Sequence, residues 1–263
     1  MKFIYADSLD HVDPNYDFAE DRMGSERNLY WDDQFPHEYL GEAPFDGLLV
    51  SRSIVGDHKF PGKYTQSQAM RFRRDGARKF LRIDKPEFEH LMIFGDCGAF
   101  SYADYEKPPY TPTEILEFYE DGGFSHGCSV DHIIFEFDRN LKGMSAPDDK
   151  MVAERARTRF DITLENAEKF YGECGHIGHA FVPLGVVQGW SPGSMAEAAR
   201  RLVGMGYDYL AIGGMVPLGV NSIKEAIAAV RELIPSYVKL HILGFGKIDH
   251  IDEFAEFGVT SFD

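Results

Sequence analysis

Eight short apolar segments, each followed by a polar residue or a glycine, recur along this 263-residue chain and limit its fold more than any other feature. Segments of this length are typical of strands buried on both faces, as in a parallel sheet. The predicted strands are Phe3–Ala6, Gly47–Val50, Leu91–Phe94, Ile133–Phe137, Phe181–Val187, Tyr209–Ile212, Val238–Leu243 and Val259–Phe262. Eight parallel strands can close into a (β/α)8 barrel, whose active site lies at the carboxyl ends of the strands.

Segments with helical periodicity separate most of these strands. The predicted helices are Gln66–Leu81, Thr113–Asp121, Met151–Tyr171, Met195–Val203, Ser222–Ile234 and Ile251–Phe257. This alternation indicates a parallel sheet. An open, doubly wound sheet is the alternative, but no G-x-G-x-x-G motif follows the first strand. We therefore predict one α/β domain over residues 1–263, a TIM barrel that lacks the helix normally found after the last strand.

The segment from Asp7 to Asp46 is irregular and strongly acidic. It holds twelve carboxylates and two arginines, a net charge of −10 within a chain total of −16. We predict an irregular insertion at about residues 7–46, because structureless loops of this length are uncommon unless they are functional. Proteins that bind polyanions are usually basic. The cationic residues of the chain are concentrated in Gln66–Lys85, which can meet phosphates or form a solvated helix face.

The cysteine content and the amino terminus favour the cytoplasm. Three cysteines in a long chain (Cys97, Cys128 and Cys174) do not indicate a disulfide framework and are typical of a reducing compartment. The first residues are too few and too acidic for a signal peptide, and no apolar run is long enough to cross a membrane. We therefore expect a cytoplasmic protein with no membrane partner.

Two groups of residues have spacings typical of metal ligands, so a metal-dependent hydrolase is one hypothesis. The group of Cys174, His176 and His179 precedes the fifth predicted strand, at the end of the barrel opposite the expected active site. The groups are Cys174, His176 and His179, and His126, Cys128, Asp131 and His132.

Polar residues follow the predicted strands and are expected to meet at one mouth of the barrel. They are Asp96, Asp138, Gln188, Gly213, Gly214 and Asp263. Two carboxylates can divide the roles of nucleophile and acid/base, and an amide beside exposed backbone groups can bind a flat heterocycle. This set favours cleavage or exchange at a sugar carbon that bears a heterocycle, although it leaves other barrel chemistries open.

Six motifs, in order along the chain, resemble those of the guanine transglycosylase family, the tRNA-guanine transglycosylases and their DNA-acting relatives. Residues Asp96–Ser101 resemble D-S-G-G-[FY]-Q, Glu136–Asn140 A-F-D-E-C, Val187–Trp190 V-Q-G-G, Ala211–Met215 A-I-G-G-L, Leu243–Gly246 M-G-V-G, and Gly258–Asp263 G-V-D-M-F-D. The resemblance begins at about Leu91. Residues before about Phe45 do not resemble the tRNA enzymes.

The resemblance implies a role for each matching residue. Asp263 would attack the sugar C1′ and expel guanine, and Asp96 would act as general acid and base. Phe100 and Met215 would stack on the two faces of the base, while Asp138, Gln188 and Gly214 would bind its edge. The further positions implied to contact the base are Asn140, Gly189, Gly213, Leu243 and Gly244.

The D-C-G-A-F-S variant at Asp96–Ser101 and the acidic amino-terminal region resemble the DNA-acting branch of the family more closely, and that branch inserts a 7-deazaguanine such as 7-cyano-7-deazaguanine. Cys97, Ala99, Trp190 and Asn140 replace family residues. The zinc ligands of the family would lie beyond Asp263, so no cofactor is expected in this chain. The expected partners are DNA, or tRNA in the alternative of queuosine- or archaeosine-type tRNA modification, together with free 7-deazaguanine or guanine. An inactive nucleobase- or nucleic-acid-binding fragment and an oligomer or accessory protein also remain open.

Overall fold

The computed structural model describes residues 1–7, 9–28, 30–176, 178 and 180–263 of the chain. Eight parallel strands form a closed barrel in sequence order, and pairing of β1 with β8 completes it. The predicted TIM barrel is therefore confirmed. The strands are β1 Lys2–Ala6, β2 Gly47–Ser51, β3 Met92–Asp96, β4 His126–Cys128, β5 Val182–Val187, β6 Tyr209–Ile212, β7 Lys239–Ile242 and β8 Val259–Phe262.

Helices cover the outside of the barrel and begin where the sequence supplies capping residues. Thr65, Thr111 and Ser191 each accept a hydrogen bond from the third residue of the helix that follows. The helices are α1 Pro36–Leu40, α2 Arg52–Val55, α3 Gln66–Phe80, α4 Pro112–Gly122, α5 Lys150–His176, α6 Pro192–Met205, α7 Val220–Leu233 and α8 Ile251–Glu256. Within the described ranges, no helix is both long and apolar enough to span a membrane.

The fourth strand is not where the sequence predicted it. Residues Ile133–Phe137 carry no strand pairing, and β4 is instead the three-residue segment His126–Cys128. Its sequence, His-Gly-Cys, has no apolar run, and the His126 ring packs inside the barrel against Phe94 at a centroid distance of 4.3 Å. The prediction was wrong because the apolar residues Ile133 and Ile134 are buried in a loop rather than in a strand.

Glycine is required in β4 by packing. A Cβ atom on Gly127 would lie 2.4 Å from the Tyr119 ring of α4 and 2.8 Å from the Phe181 ring. The Tyr119 hydroxyl also donates a hydrogen bond to the Cys128 carbonyl at 3.1 Å. The missing side chain at residue 127 therefore lets α4 lie directly against the barrel wall.

In its described residues, the acidic segment at about residues 7–46 contains one short helix, α1, and two isolated bridges, Val12 with Gln34 and Asp17 with Arg22. Ion pairs tie it to the barrel and to itself. Arg27 pairs with the buried Asp33 at 2.6 Å, and Arg82, which follows α3, pairs with Glu38 at 3.0 Å. Part of the acidic charge of this segment is therefore neutralised locally.

Side chains from the strand centres fill the barrel interior, so the barrel is a packed core rather than a channel. Outside the barrel, two larger apolar clusters lie between the strands and the helices. The open space lies above the interior layer, at the carboxyl ends of the strands. The buried interior residues are Ile4, Leu49, Phe94, Cys128, Leu184, Val186, Tyr209 and Ala211.

Replacing Gly127 tests the packing of β4. We expect Gly127→Ala to lower the free energy of unfolding by about 1–3 kcal/mol, because the added methyl group overlaps the Tyr119 ring. Gly172→Ala is the matched control, since residue 172 lies in α5 with open space around it. This variant should raise the free energy of unfolding by about 0.5–1 kcal/mol. Urea unfolding measures both. Similar changes in the two variants would contradict the packing argument.

Candidate active site

A cavity of about 290 Å³ opens at the carboxyl ends of the strands. Most of the residues predicted from the sequence to form the site line it, and they come from five different strand ends or the loops that follow them. Those residues are Asp96, Phe100, Gln188, Gly213, Gly214, Leu243, Gly244 and Asp263. The barrel therefore brings together side chains that lie up to 167 positions apart in the sequence.

Four other predicted site residues do not line this cavity. Asp138 and Asn140 are exposed and bond to each other, the Asn140 amide donating to Asp138 at 3.1 Å. Their expected place at the mouth was wrong, because it depended on a strand at residues 133–137. Met215 is buried in the outer core, and a Cβ on Gly189 would lie 2.7 Å from Met195 of α6, so both positions serve packing.

Asp131 occupies the position expected for Asp138. It follows β4 by three residues, lines the cavity and is only 2% exposed. One carboxylate oxygen accepts a hydrogen bond from Gln188 Nε2 at 2.7 Å, and the other accepts from the Cys97 thiol at 3.0 Å. Gln188 Oε1 in turn accepts from the Ile134 backbone at 3.2 Å. Asp131 and Gln188 thus form a fixed polar pair in the cavity wall.

Burial raises the pKa of Asp131 above its ordinary value, while the bonds from Cys97 and Gln188 oppose that shift. Burial also raises the pKa of the Cys97 thiol well above its usual range, so the thiol stays protonated and can donate. The Tyr102 hydroxyl lies 2.9 Å from Cys97 Sγ and 3.1 Å from the Asp131 carbonyl. The cysteine that replaces the family serine therefore has a clear place, as a donor to Asp131.

Asp96 ends β3 and is half-buried at the cavity wall. Its Oδ2 accepts a hydrogen bond from the Gly98 backbone at 2.9 Å. Burial, followed by the nearby charges of Asp131 and Asp263, raises the pKa of Asp96 to about 7, and hydrogen bonds from Ser51 and Gly98 oppose the rise. A carboxyl group with this pKa can both give and take a proton near neutral pH.

Three serine hydroxyls line the cavity beside Asp96, and the sequence analysis did not assign them. Ser53 Oγ lies 3.1 Å from Ser51 Oγ and 2.9 Å from Ser101 Oγ. Gly98 fits against them because a Cβ at this position would lie 1.9 Å from Ser53 Oγ, and its φ of 86° also favours glycine. Ser51 ends β2 and Ser53 lies in α2, whereas Ser101 follows β3, so no local sequence signal connects the three.

Asp263 is held by its side chain and its backbone. Its Oδ1 lies 3.0 Å from His241 Nε2 and accepts a hydrogen bond from the Gly244 backbone at 3.1 Å. Its main-chain oxygen accepts from the Phe245 backbone at 2.7 Å. Both the side chain and the main chain of Asp263 are therefore fixed by hydrogen bonds at the cavity wall.

Two exposed aromatic rings stand at the rim of the cavity. Phe100 is 53% exposed and Phe135 is 41% exposed, and their centroids lie 5.5 Å apart in an edge-to-face arrangement. Phe100 lines the cavity itself. Exposed aromatic rings beside a cavity can stack on a flat ligand.

The two predicted metal-ligand groups are not assembled in the described ranges. His126 Nδ1 lies 2.8 Å from Ser125 Oγ, and His132 Nε2 lies 2.9 Å from the Tyr105 carbonyl. Cys174 is buried and His176 is exposed, while His179 lies outside the described residues. Among the residues described, the cluster with metal-ligand atoms within 4.8 Å of one another is Asp96, Cys97 and Asp131.

The chain is similar in sequence to a known protein. No family model matches the chain. The whole chain aligns over 264 residues with a DNA-guanine transglycosylase from Salmonella montevideo, at 36% identity. The chain is therefore similar in sequence, along its whole length, to a protein named as a guanine transglycosylase. It spans about 61% of the length of that relative, so the transglycosylase resemblance covers its entire barrel but only part of the longer protein.

The raised pKa of Asp96 predicts a specific pH dependence of stability. Because the folded pKa of about 7 exceeds the ordinary value of 3.8, the folded state binds the extra proton, and its stability falls as pH rises between about 4 and 7. We expect Asp96→Asn to remove this fall and to be more stabilising, relative to wild type, at pH 8 than at pH 5. Urea unfolding at both pH values measures it, with the exposed Asp138→Asn as control. An equal difference at both pH values would contradict the assignment.

Proposed function

We propose that this chain carries a guanine transglycosylase activity on DNA, exchanging guanine for a 7-deazaguanine base through a covalent aspartyl-sugar intermediate. The observation that carries the proposal is the placement of Asp96 and Asp263 in one cavity beside the Asp131–Gln188 pair. The relative named as a DNA-guanine transglycosylase supports the same reaction class. We expect the reaction to take place in the cytoplasm.

Asp131 and Gln188 are suited to hold the hydrogen-bonding edge of guanine. A carboxylate accepts hydrogen bonds, and guanine presents N1–H and its amino group side by side. Gln188 Nε2 has a second N–H beyond the one given to Asp131, and this can be donated to the guanine oxygen. Asp131 thus takes the part that the sequence resemblance gave to Asp138, and Gly213 and Gly214 let the base approach the backbone.

The first half-reaction forms one bond and breaks another. Asp263 attacks the sugar C1′ as the C1′–N9 bond breaks, and the bonding electrons leave with guanine. Asp96, protonated in part near neutral pH, gives its proton to the departing base. The products are neutral guanine and a sugar joined to Asp263 through a C1′–O bond.

The second half-reaction reverses these steps with a new base. The incoming 7-deazaguanine gives its N9 proton to the Asp96 carboxylate and attacks C1′, and Asp263 leaves as a carboxylate. Both carboxyl groups return to their starting state, so the exchange needs no oxidant, reductant or other co-reactant. A pKa of about 7 suits Asp96 to both transfers.

The target guanine must leave its stack to enter this cavity, which favours flipping or a single-stranded substrate. Phe100, exposed at the rim, can stack on the extruded base. The net charge of −16 supplies little attraction for a polynucleotide. Because the chain spans about 61% of its relative, further segments, a second copy or an accessory protein can supply phosphate contacts.

Incorporation of a labelled base is the most direct test of this proposal. We expect labelled 7-cyano-7-deazaguanine, and separately labelled guanine, to enter DNA but not tRNA when incubated with the purified chain. Asp263→Ala should reduce incorporation by about 10⁴-fold or more, since the nucleophile is lost. Label entering tRNA alone would favour the tRNA-modifying alternative. Base binding without incorporation into either polymer would favour a binding protein instead of an enzyme.

Two aspartate variants test which carboxylate binds the base. Asp131→Asn replaces a buried acceptor by an amide and should reduce the exchange rate at low guanine concentration by about 10- to 100-fold. Asp138→Asn changes an exposed side chain outside the cavity and should leave the rate within about twofold. A large loss in the second variant with none in the first would restore the assignment made from sequence.

A further inference from the structure

Three buried polar side chains form a continuous hydrogen-bonded chain beneath the cavity and lead to Asp263. The Tyr209 hydroxyl lies 2.7 Å from Ser261 Oγ, and Ser261 Oγ lies 2.7 Å from His241 Nδ1. His241 Nε2 lies 3.0 Å from Asp263 Oδ1. His241 and Ser261 are 0% exposed and Tyr209 is 4% exposed. The chain joins β6, β7 and β8, and it ends on the carboxylate that faces the sugar in the proposed reaction.

The chemistry of Asp263 sets the direction of these hydrogen bonds. An ionised carboxylate only accepts, so His241 Nε2 must carry a proton and donate it. In a neutral imidazole the other nitrogen then accepts, which requires the Ser261 hydroxyl to donate to Nδ1. Ser261 Oγ is left to accept from Tyr209. Each group therefore has one role, and all the roles agree.

This arrangement distinguishes the two oxygens of Asp263. Both His241 Nε2 and the Gly244 N–H contact Oδ1. Two donors on Oδ1 fix the rotation of the carboxylate and reduce the electron density of that oxygen, which leaves Oδ2 as the better nucleophile. Rotation of a free carboxylate would lose this distinction, and small errors in the position of a reacting group slow reactions strongly.

The position of this hydrogen-bonded row of side chains argues against a purely structural role for it. Burying polar groups is costly unless each is hydrogen-bonded, and apolar side chains fill the rest of this interior layer. The His241 ring also packs against Phe94, with 5.1 Å between the centroids, so its plane is held by an apolar neighbour. A fully bonded polar chain leading to one cavity residue is typical of groups that orient a catalytic side chain.

We propose that His241 is a positioning residue that presents Asp263 Oδ2 to the sugar C1′, and that Ser261 and Tyr209 hold it in the Nε2–H tautomer. This inference rests on the proposed function, because it assigns a role within the same reaction. It adds the identity of the attacking oxygen and three residues that touch neither substrate nor base.

A pair of variants that differ by one methylene group tests the role of His241. In His241→Gln the amide nitrogen can reach the place of Nε2 and still donate to Asp263, whereas in His241→Asn it reaches only the place of Nδ1. We expect His241→Asn to lower kcat about 100-fold with KM changed less than about threefold, and His241→Gln to recover at least about tenfold of that loss. Equal kcat in both variants, with wild-type unfolding midpoints, would overturn the proposal.

The tautomer provides a readout that does not depend on activity. With ¹⁵N-labelled histidine in the full chain, NMR should show the His241 proton on Nε2 rather than on Nδ1, and Ser261→Ala should increase the Nδ1–H form. Protonation of His241 on Nδ1 in the wild-type chain would overturn the proposal, even if the chain exchanges bases. If the tautomer is as expected but no exchange occurs, the proposed function fails and the positioning of Asp263 by His241 stands as geometry only. The Ser261→Ala readout also serves if the His241 variants do not fold.

Discussion

The pairing of β1 with β8 is the constraint on which the site depends. Lys2 and Phe3 pair with Ser261 and Phe262, and the Phe3 and Phe262 rings stack at 5.3 Å. This pairing closes the barrel and fixes the strand that carries Asp263 against its neighbours. Without closure, β8 would be an edge strand held by β7 alone, and its carboxylate would have no fixed relation to Asp96 across the cavity. The geometry of the reaction is thus a consequence of hydrogen bonds at the opposite ends of the chain.

Three carboxyl groups share one small cavity, and their different partners give them different chemistry. Asp131 accepts from a thiol and an amide, and Asp263 contacts an imidazole and a backbone N–H. Asp96 has a serine and one backbone N–H, and it faces the charges of the other two. Burial, followed by these neighbouring charges, raises the pKa of Asp96 to about 7, so this group can hold a proton near neutral pH. The division of labour that we propose among acid/base, base-binding group and nucleophile therefore follows from hydrogen bonding around residues of the same type.

The sequence predicted the barrel and most of the residues at the carboxyl ends of its strands, because apolar strands are easy to detect. Asp96, Gln188 and Asp263 each follow such a strand, and the structure places all three in the cavity. The fourth strand was missed because its three residues include a histidine and a glycine. These two residues fit a buried strand here only because of the aromatic rings that pack around them. Asp131 was missed as a base-binding residue for the same reason, and the sequence indicated it only as a possible metal ligand. His241 and the three serines depend on contacts between different strands and loops, and periodicity carries no information about such contacts.

Tyr119 has a consequence for how this barrel can diverge. Its ring lies between two strand glycines, since added Cβ atoms would approach it to 2.1 Å at Gly95 and 2.4 Å at Gly127. A larger residue at either glycine needs a smaller one at position 119, and loss of the tyrosine leaves space over two strands at once. Residues 95, 119 and 127 should therefore co-vary: a substitution accepted at one of them during evolution should be accompanied by substitutions at the others. Because β3 ends at Asp96, substitutions at these three buried positions would also shift the proposed acid/base group. The evolution of the outer packing is therefore coupled to the evolution of the proposed chemistry.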